Sequence, residues 1–519
     1  MKRKYKVKIN DKVSEREIVY IPIRYIISII LTILEVLAII GIVALLSKYV
    51  KYFYISVFIT YICVIISIIG SNDNAEYKIP WLIFVILVPI AGFMCYFIFY
   101  KRKLKNKFIK RIKDVNNSLS VDDSKILEKL KQKDPLIHSQ ALWLKNTSNT
   151  NIYQNTKIKY YKIGEEMFSD MLIELNKAKK FIFMEYFIIE EGTFFNSILD
   201  ILKKKASEGI EVKLLYDDIG CMSKLPGNYY KLLKKHNIQC VPFSFLKGQA
   251  DNEFNNRTHR KIMVIDNKVA FTGGINLADE YININSKFGH FKDCGIKLEG
   301  EAVKELCNLF LTNFYMNFKY NNEDLSIYYK NHEVQSTSYV IPFGDGPNPF
   351  YKHNVAKTAI MNMLNQASKY VYITTPYLII DKEITNAIIN ASIRGVDVRI
   401  IIPHIPDKKL VFKMSQNTSR LLASHNVKIY EYEPGFIHAK NYICDDKIFI
   451  IGTINLDYRS LAHHFENGVW VYNDPEILKS KEDFLDTLNK SIYINDVKYK
   501  DNIFKKLLLS ILKFFEPLL

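Results

Sequence analysis

Apolar residues are concentrated at one end of this chain, and the first hundred residues are much more apolar than the rest. Three long apolar runs follow one another there, at 21–47, 52–69 and 80–100. Each run is long enough to cross a hydrocarbon core of about 30 Å as a helix. Aromatic residues lie near the ends of the runs, as they do at membrane–water interfaces. The pattern therefore predicts a region of transmembrane helices over 21–100.

The charges around these runs leave the number of spans open between two and three. The first run contains Arg24 and Glu35, so it either spans the membrane, lies in the interface or re-enters. Lysine and arginine residues follow the third run at 101–113, and such clusters favour the cytoplasmic side. The tail at 1–20 is also basic. Three spans would place this tail and the cluster at 101–113 on opposite sides of the membrane, so one of them would violate the preference for the cytoplasmic side. Giving the longer cluster more weight, we predict a multi-pass protein of the cell membrane whose bulk is cytoplasmic.

The rest of the chain alternates short apolar runs with amphipathic stretches, and the alternation occurs twice. In each copy the pattern predicts a strand, a helix ended by glycine and a second strand. The first copy comprises 180–187, 195–208 and 212–216, and the second comprises 371–377, 382–394 and 398–402. Such alternation is typical of crossover units covered by helices. We expect an α/β fold of two tandem domains, each a mixed sheet flanked by helices, related by a pseudo-twofold axis.

Composition narrows the partners of these domains. Lysine and arginine total 71 against 54 acidic residues, which gives a formal net charge of +17. A basic chain of this size favours an anionic partner: nucleic acid, an acidic membrane surface or a phosphate-bearing substrate. The seven cysteines are widely scattered without a CxxC pair, which argues against a zinc site or a disulfide framework and favours a reducing compartment. We predict no metal and no cofactor.

A repeated motif, H-x-K-x4-D-x6-G-(G/T)-x-N, carries the candidate chemistry. The first copy places His259, Lys261, Asp266 and Asn276 in this register. The second copy places His438, Lys440, Asp445 and Asn455 at the same offsets. On a strand, residues i and i+2 project to one face, so each histidine is expected beside its lysine. Two complete copies make chance or purely structural repetition a poor explanation. The other histidines, His464 among them, lack the motif, and solvated or core roles are expected for them.

The residue types in this motif suit transfer at a phosphodiester. Lysines and asparagines bind the non-bridging oxygens and stabilise charge in the transition state. One neutral imidazole attacks phosphorus to form a phosphohistidine, and the other protonates the leaving alkoxide. These residues do not reveal which histidine takes which role.

Four carboxylates accompany the two motifs. A carboxylate is expected to hold the other nitrogen of each histidine. The downstream candidates are Asp293 in the first half and Glu466 in the second. Asp266 and Asp445 are included among the candidate catalytic residues as members of the motif. An acidic residue that opens a turn is more often structural, however, and we favour that role for both.

At these residues the sequence resembles the phospholipase D superfamily and, within it, the bacterial cardiolipin synthases. The resemblance covers nearly the whole chain, through the N-terminal hydrophobic segments, both motifs at 259–281 and 434–460, the stretch 402–411 and the terminal FFEPLL. It implies that two phosphatidylglycerol molecules of the bilayer become cardiolipin and glycerol. By analogy with the family, His259 is the nucleophile and His438 the acid/base.

The apolar runs, the repeat and the resemblance together divide the chain into seven segments. These are a basic N-terminal tail (1–20), transmembrane helices (21–100), a basic juxtamembrane connector (101–157), a first phospholipase D-like catalytic domain (158–325), a linker (326–345), a second such domain (346–500) and an amphipathic C-terminal tail (501–519). The tail either lies on the lipid surface or packs onto the domain. The basic run at 101–113 is interpreted as a membrane-surface anchor and not as a nucleic-acid site.

Other functions stay open beside the synthase. A membrane-bound phospholipase D that hydrolyses phospholipids, or transfers them to another alcohol, would need the same residues. A nuclease of the superfamily is disfavoured by the membrane segments, so no nucleic-acid partner is expected. A catalytically idle scaffold is disfavoured because neither histidine and neither lysine is lost. Oligomeric state is not predicted.

Overall fold

The computed structural model describes residues 2–9, 12–19, 23–46, 50–71, 75–99, 114–116, 118–243, 256–285, 287–318, 323–494, 512–513 and 516. The chain divides into two compact units. One comprises Met1–Lys103, Asp218–Gly227 and Ser244–Asn255, and the other holds the rest of the chain. The basic run at 101–113 and most of the C-terminal tail lie outside the described residues.

The first unit contains a strand hairpin and four apolar helices. Strands β1 (Lys2–Ile9) and β2 (Lys12–Val19) pair antiparallel within the predicted basic tail. The helices are α1 (Ile23–Leu46), α2 (Val50–Ile69), α3 (Ala75–Leu87) and α4 (Pro89–Phe99). Among the described residues, one stretch meets the length and apolarity of a membrane span, Tyr52–Ile69 in α2. A shorter apolar helical stretch, Ile29–Ile42, lies in α1.

The third apolar run is not the single helix that the sequence predicts. It divides between α3 and α4, and the rings of Trp81 and Tyr96 lie 6.0 Å apart between centroids. In one straight helix, fifteen residues would separate them by about 22 Å, so α3 and α4 fold back on each other. Pro89 explains the break, since proline disfavours the helical conformation of the residue before it. Gly92 allows the close approach, because a Cβ there would lie 2.7 Å from the Cα of Val85.

The second unit is built on two mixed sheets. The strands of the first sheet are β3 (Thr156–Tyr161), β4 (Phe181–Tyr186), β5 (Glu211–Asp217), β6 (Ile238–Phe243), β7 (Ile262–Ile265), β8 (Val269–Gly273) and β9 (Gly295–Gly300). Those of the second sheet are β10 (Tyr339–Asp345), β11 (Tyr370–Thr374), β13 (Asp397–Pro403), β14 (Lys428–Tyr432), β15 (Asn441–Cys444), β16 (Ile448–Gly452), β18 (Glu466–Tyr472) and β19 (Ser491–Tyr493). Short β12 (Leu378–Ile379) and β17 (Leu456–Asp457) pair with each other.

Helices cover these sheets and connect their strands. They are α5 (Ser124–Lys133), α6 (Pro135–Ser148), α7 (Gly164–Asn176), α8 (Thr193–Ser207), α9 (Tyr229–Lys234), α10 (Val303–Asn317), α11 (Val355–Gln366), α12 (Lys382–Ile393), α13 (Lys409–Ala423), α14 (Tyr458–Ala462) and α15 (Glu476–Leu488). Strand β10 lies inside the segment that the sequence assigns to a linker.

The strand order shows that the unit is a duplication. The first sheet runs β3-β9-β8-β7-β4-β5-β6, and the second runs β10-β18-β16-β15-β11-β13-β14-β19. The first seven positions of the second sheet repeat the first sheet in the same sequence order. In both, the strand–helix–strand pairs β4–β5 and β11–β13 are parallel, and the motif strands pair antiparallel beside them. The predicted α/β fold of tandem domains with mixed sheets is therefore confirmed.

The two halves share one hydrophobic core. A single cluster of buried residues includes Phe183 and Val264 of the first sheet together with Ile443 and Phe449 of the second. Helix α10 belongs to this cluster and is buried along almost all of its length, including polar residues such as Asn308 and Asn313. Burying apolar area on this scale stabilises the halves as one body, and it brings the motif strands β7 and β15 into a common core.

Candidate active site

The two motifs meet because each is hydrogen-bonded to the opposite half. The backbone N–H of His259 donates to the carbonyl of Phe465 at 2.8 Å. In the related position, the N–H of His438 donates to the carbonyl of Lys292 at 2.7 Å. The residues just before each histidine form parallel bridges to the same segments, Thr258 with Phe465 and Ile437 with Lys292. The four motif side chains of His259, Lys261, His438 and Lys440 are all buried.

The carboxylates that hold the histidines are exchanged between the halves. Nδ1 of His259 lies 3.0 Å from both carboxylate oxygens of Glu466, and Nδ1 of His438 lies 2.7 Å from Oδ2 of Asp293. The downstream carboxylate of each half therefore serves the histidine of the other half. A hydrogen bond at Nδ1 orients each ring and leaves Nε2 for chemistry.

The two carboxylates differ in their surroundings. Asp293 also accepts the backbone N–H of Cys294 at 2.8 Å, and it lies against Gly274, where a Cβ would come within 2.1 Å of its Oδ1. Glu466 instead accepts the hydroxyl of Ser460 at 2.6 Å and the hydroxyl of Thr453. Thr453 occupies the motif position that Gly274 has in the first half. At Gly274 the absence of a side chain leaves room for Asp293, whereas the side chain of Thr453 donates a hydrogen bond to Glu466.

These surroundings give the two pairs different electrostatics. Burial raises the pKa of Glu466 to about 7, although the charge of Lys261 and the two hydroxyls oppose the shift. Burial also acts on Asp293, but the neighbouring His438 and Lys440 lower the pKa of that carboxyl below its ordinary value. Burial and the charges of the two lysines hold the pKa of His259 well below its usual range. Burial lowers the pKa of His438 to about 4, with Asp293 opposing the shift.

Each motif lysine donates a hydrogen bond to the backbone carbonyl of the histidine in the same motif. Nζ of Lys261 donates to the carbonyl of His259 at 2.7 Å, and Lys440 makes the same bond to His438. Burial lowers the pKa of Lys261 to about 7, and it lowers the pKa of Lys440 to about 8. The charges of Glu466 and Asp293 oppose the shift at both lysines.

The two motif asparagines are held by different partners. Asn276 donates to the hydroxyl of Tyr281 at 2.7 Å and accepts the backbone N–H of Ile188 at 3.1 Å. The side chain of Asn455 interacts with Asp457, while its Oδ1 is buried without a hydrogen-bond partner in the described part of the chain. A buried oxygen without a partner is uncommon, and a hydrogen-bond donor of a ligand or a water would satisfy it.

Asp266 and Asp445 lie at the opposite ends of β7 and β15 from the histidines. Asp266 accepts the backbone N–H groups of Lys179, Lys180 and Phe181 at 2.7–2.9 Å. Asp445 makes the equivalent bonds to the residues at 368–370. Both open a two-residue turn in which both central residues have positive φ, near 55°. Within the described residues neither carboxylate contacts a histidine, and their geometry is that of the structural turn.

Sequence reasoning missed the aromatic and polar surroundings of the histidines. The ring of Phe187 packs edge-on against His259 at 5.2 Å, and Tyr281 packs against His438 at 5.4 Å. His464 lies 5.8 Å from His259 between ring centroids. The signal that identifies His464 is its position two residues before Glu466, which carries it to the same site. The other missed groups, Thr453 and Ser460, lie within or just after the second motif.

Comparisons with known proteins place this site in a family. A family model described as "Cardiolipin synthase, PLD-like domain" matches 171–291 and 360–488, so one match falls in each half. A second model, "Phospholipase_D-nuclease N-terminal", matches 59–99. Among solved structures, a phosphatidylserine synthase from Haemophilus influenzae aligns with a TM-score of 0.56 at 15% identity. It covers 73% of this chain and 100% of that one, and it supports the fold alone.

Curated relatives match over most of the chain. A cardiolipin synthase from Alkalihalophilus pseudofirmus is 32% identical over 90% of this chain and 94% of its own length. Cardiolipin synthase 2 from Bacillus cereus is 33% identical over 86% and 88%. An uncharacterized protein from Streptococcus mutans is 40% identical over 88% of this chain and 99% of that protein.

The duplicated fold and its paired His/Lys motifs define a phosphatidyltransferase of the phospholipase D type. Within that class, the chain belongs to the cardiolipin synthase family.

Proposed function

We propose that this protein is a cardiolipin synthase that transfers a phosphatidyl group between two phosphatidylglycerol molecules. The products are cardiolipin and glycerol, and the intermediate is a phosphatidyl group bound covalently to histidine. The observation that carries the proposal is the pairing of two buried histidines, each held at Nδ1 by a carboxylate of the opposite half. This arrangement offers two Nε2 atoms to one phosphodiester, one for attack and one for proton transfer.

The electrostatics favour His259 as the nucleophile and His438 as the acid. An attacking imidazole must be neutral, and the pKa of His259 is held well below its usual range by burial and nearby lysines. An acid must carry a proton, and His438 has the ionised Asp293 at 2.7 Å to stabilise its imidazolium. The negative charge of bound phosphodiester raises the proton affinity of both rings, and the ion pair directs the proton to His438.

The reaction proceeds in two displacements that balance. Nε2 of His259 forms a bond to phosphorus while the bond from phosphorus to the glycerol oxygen breaks, and His438 gives its proton to that oxygen. A hydroxyl of the second phosphatidylglycerol then loses its proton to His438 and attacks phosphorus. The phosphorus–nitrogen bond breaks, which frees His259 and leaves His438 protonated for the next cycle.

The remaining motif residues are proposed to hold the phosphate. Lys261 and Lys440 supply positive charge, and Asn276 and Asn455 supply amide hydrogens to the non-bridging oxygens. Asp293 and Glu466 are positioning residues because they act through the histidines. Asp266 and Asp445 hold the turns of the motif strands. Neither metal nor cofactor has a role in the proposed steps.

The apolar N-terminal helices fit this substrate, which lies in a bilayer. We propose a multi-pass protein of the cell membrane with cytoplasmic catalytic domains. Its segments are those given above, except that the linker ends before β10, which belongs to the second sheet. The helical hairpin of α3 and α4 is then a membrane-embedded element that does not cross as one helix. Nucleic acid is not among the proposed partners.

The test is to purify the full chain in detergent and supply phosphatidylglycerol without added metal or nucleotide. The expected result is cardiolipin with an equimolar amount of glycerol. Phosphatidic acid in place of cardiolipin would identify a hydrolytic phospholipase D and overturn the synthase proposal. A product with an added second alcohol, but none with phosphatidylglycerol alone, would identify a transferase with another acceptor.

A further inference from the structure

His464 is placed at the site without a part in the steps above. Its Nδ1 lies 3.9 Å from Oε1 of Glu466, and the same oxygen lies 3.0 Å from Nδ1 of His259. One nitrogen of each histidine and one oxygen of the glutamate lie within 4.8 Å of one another. Glu466 is fully buried and His259 nearly so.

The other half of the site lacks this third group. Phe291 lies two residues before Asp293, as His464 lies two residues before Glu466. The ring of Phe291 packs 5.7 Å from that of His438, and the ring of His464 packs 5.8 Å from that of His259. The pseudo-twofold axis thus relates the phenyl ring of Phe291 to the imidazole of His464, and the two rings lie at nearly the same distance from their motif histidines. Packing alone does not explain the imidazole.

We propose that His259, His464 and Glu466 bind a divalent transition-metal ion such as Zn²⁺, and that this ion inhibits phosphatidyl transfer. Two histidines and one glutamate form a ligand set that zinc uses in proteins, at about 2.0–2.2 Å from each atom. The side chains must move to reach that distance, because their ligand atoms now lie up to 4.8 Å from one another. The hydroxyls of Ser460 and Thr453 already hold Glu466, as outer partners of metal ligands do.

Inhibition follows from the two nitrogens of one ring. A metal at Nδ1 of His259 displaces the proton that Nδ1 shares with Glu466. The ring then carries its proton on Nε2, which has no lone pair with which to attack phosphorus. This consequence rests on the role of His259 in the proposed function, whereas metal binding itself does not.

The experiment compares the full-length protein with two variants designed from the pseudo-symmetry. His464→Phe copies the ring present in the other half, and Phe291→His builds the equivalent group beside His438 and Asp293. Binding of Zn²⁺ is measured by competition with a chromogenic chelator in detergent. Phosphatidyl transfer is measured on identical phosphatidylglycerol micelles, and each rate is normalised to the same variant's rate in EDTA. Mg²⁺ is the control ion, because it prefers oxygen ligands.

The wild-type protein is expected to bind one Zn²⁺ and to lose activity at least about tenfold, while His464→Phe binds at least about tenfold more weakly. Phe291→His is expected to bind a second ion, which keeps the test decisive if His464→Phe folds poorly. Equal zinc affinity and equal inhibition in the wild type and His464→Phe, with no second ion in Phe291→His, would overturn the metal site. Binding that depends on His464 without inhibition would uphold the site and contradict the nucleophilic role of His259.

Discussion

The two halves of the site have the same backbone geometry but different chemistry. His438 faces an ionised aspartate that also accepts a backbone N–H, whereas His259 faces a glutamate shared with two hydroxyls. The pKa of Asp293 is lowered by its cationic neighbours, and burial raises the pKa of Glu466 to about 7. A duplicated fold therefore supplies two positions that differ in proton affinity, which is what a nucleophile and an acid require.

The largest expected effect is the loss of activity on removing either histidine. The two roles are distinguished with a substrate whose leaving group needs no proton. Both His259→Ala and His438→Ala should lose at least about 100-fold of the rate on phosphatidylglycerol. On a nitrophenyl phosphodiester lipid, whose leaving group departs without a proton, His438→Ala should recover most of the rate of nitrophenol release in the first turnover, before an acceptor hydroxyl needs His438 as its base. His259→Ala should not recover. If His259→Ala recovers and His438→Ala does not, His438 is the nucleophile and His259 is the acid.

The next effect concerns the carboxylates. Asp293→Asn should lower kcat by about 100-fold, because an ionised partner stabilises the imidazolium of His438. Glu466→Gln should cost about tenfold, since a neutral amide still orients His259 and the pKa of Glu466 is already raised. Matched measurements of kcat on phosphatidylglycerol test this order. Equal losses would mean that the two pairs have the same electrostatic role.

A smaller effect is expected in the pH dependence. Free protein carries lysines whose pKa values are lowered by burial to about 7 for Lys261 and about 8 for Lys440. Raising the pH through this range removes their positive charge, so kcat/KM should fall severalfold. Arginine stays protonated, and Lys261→Arg should therefore move the alkaline limb of kcat/KM to higher pH, whatever its absolute rate. An alkaline limb that stays in place would assign it to another group.

The smallest effect on catalysis is expected at the turn aspartates. Asp266→Ala removes the acceptor of three backbone N–H groups and should destabilise the protein by about 1–3 kcal/mol. The rate per folded molecule should change less than about threefold, because the carboxylate lies at the far end of β7. Asp445→Ala is the matched variant in the second half. Thermal unfolding and active-site titration check both, and a loss of rate without a loss of stability would restore a catalytic role.

Much of the fold was predictable because it rests on local patterns. Apolar alternation and glycine stops identified the strand–helix–strand units, and the spacing of the motif identified the duplication. The third apolar run was predicted wrongly as one helix. Composition alone does not distinguish a span from a hairpin, and here Pro89 and the packing of Gly92 against Val85 decided the outcome.

The site was predictable in its members but not in their pairing. Spacing identified His259 and His438, because each motif has the same offsets in both copies. Asp293 and Glu466 were expected as the carboxylates that hold the histidines, although their distances from the motifs differ. Spacing did not show that Glu466 holds His259 and Asp293 holds His438. That exchange depends on bridges between segments far apart in the chain, Thr258 with Phe465 and Lys292 with Ile437, which no local pattern records.

The sequence by itself determined the duplicated α/β architecture, the membership of the cardiolipin synthase family and the residue types offered to a phosphodiester. Only the tertiary structure decided which carboxylate serves which histidine, how strongly burial shifts the pKa of each group, and that His464 joins His259. The physical reason is that residue identity follows from the chain, whereas proton affinity depends on desolvation and on charges that only folding brings within a few ångströms.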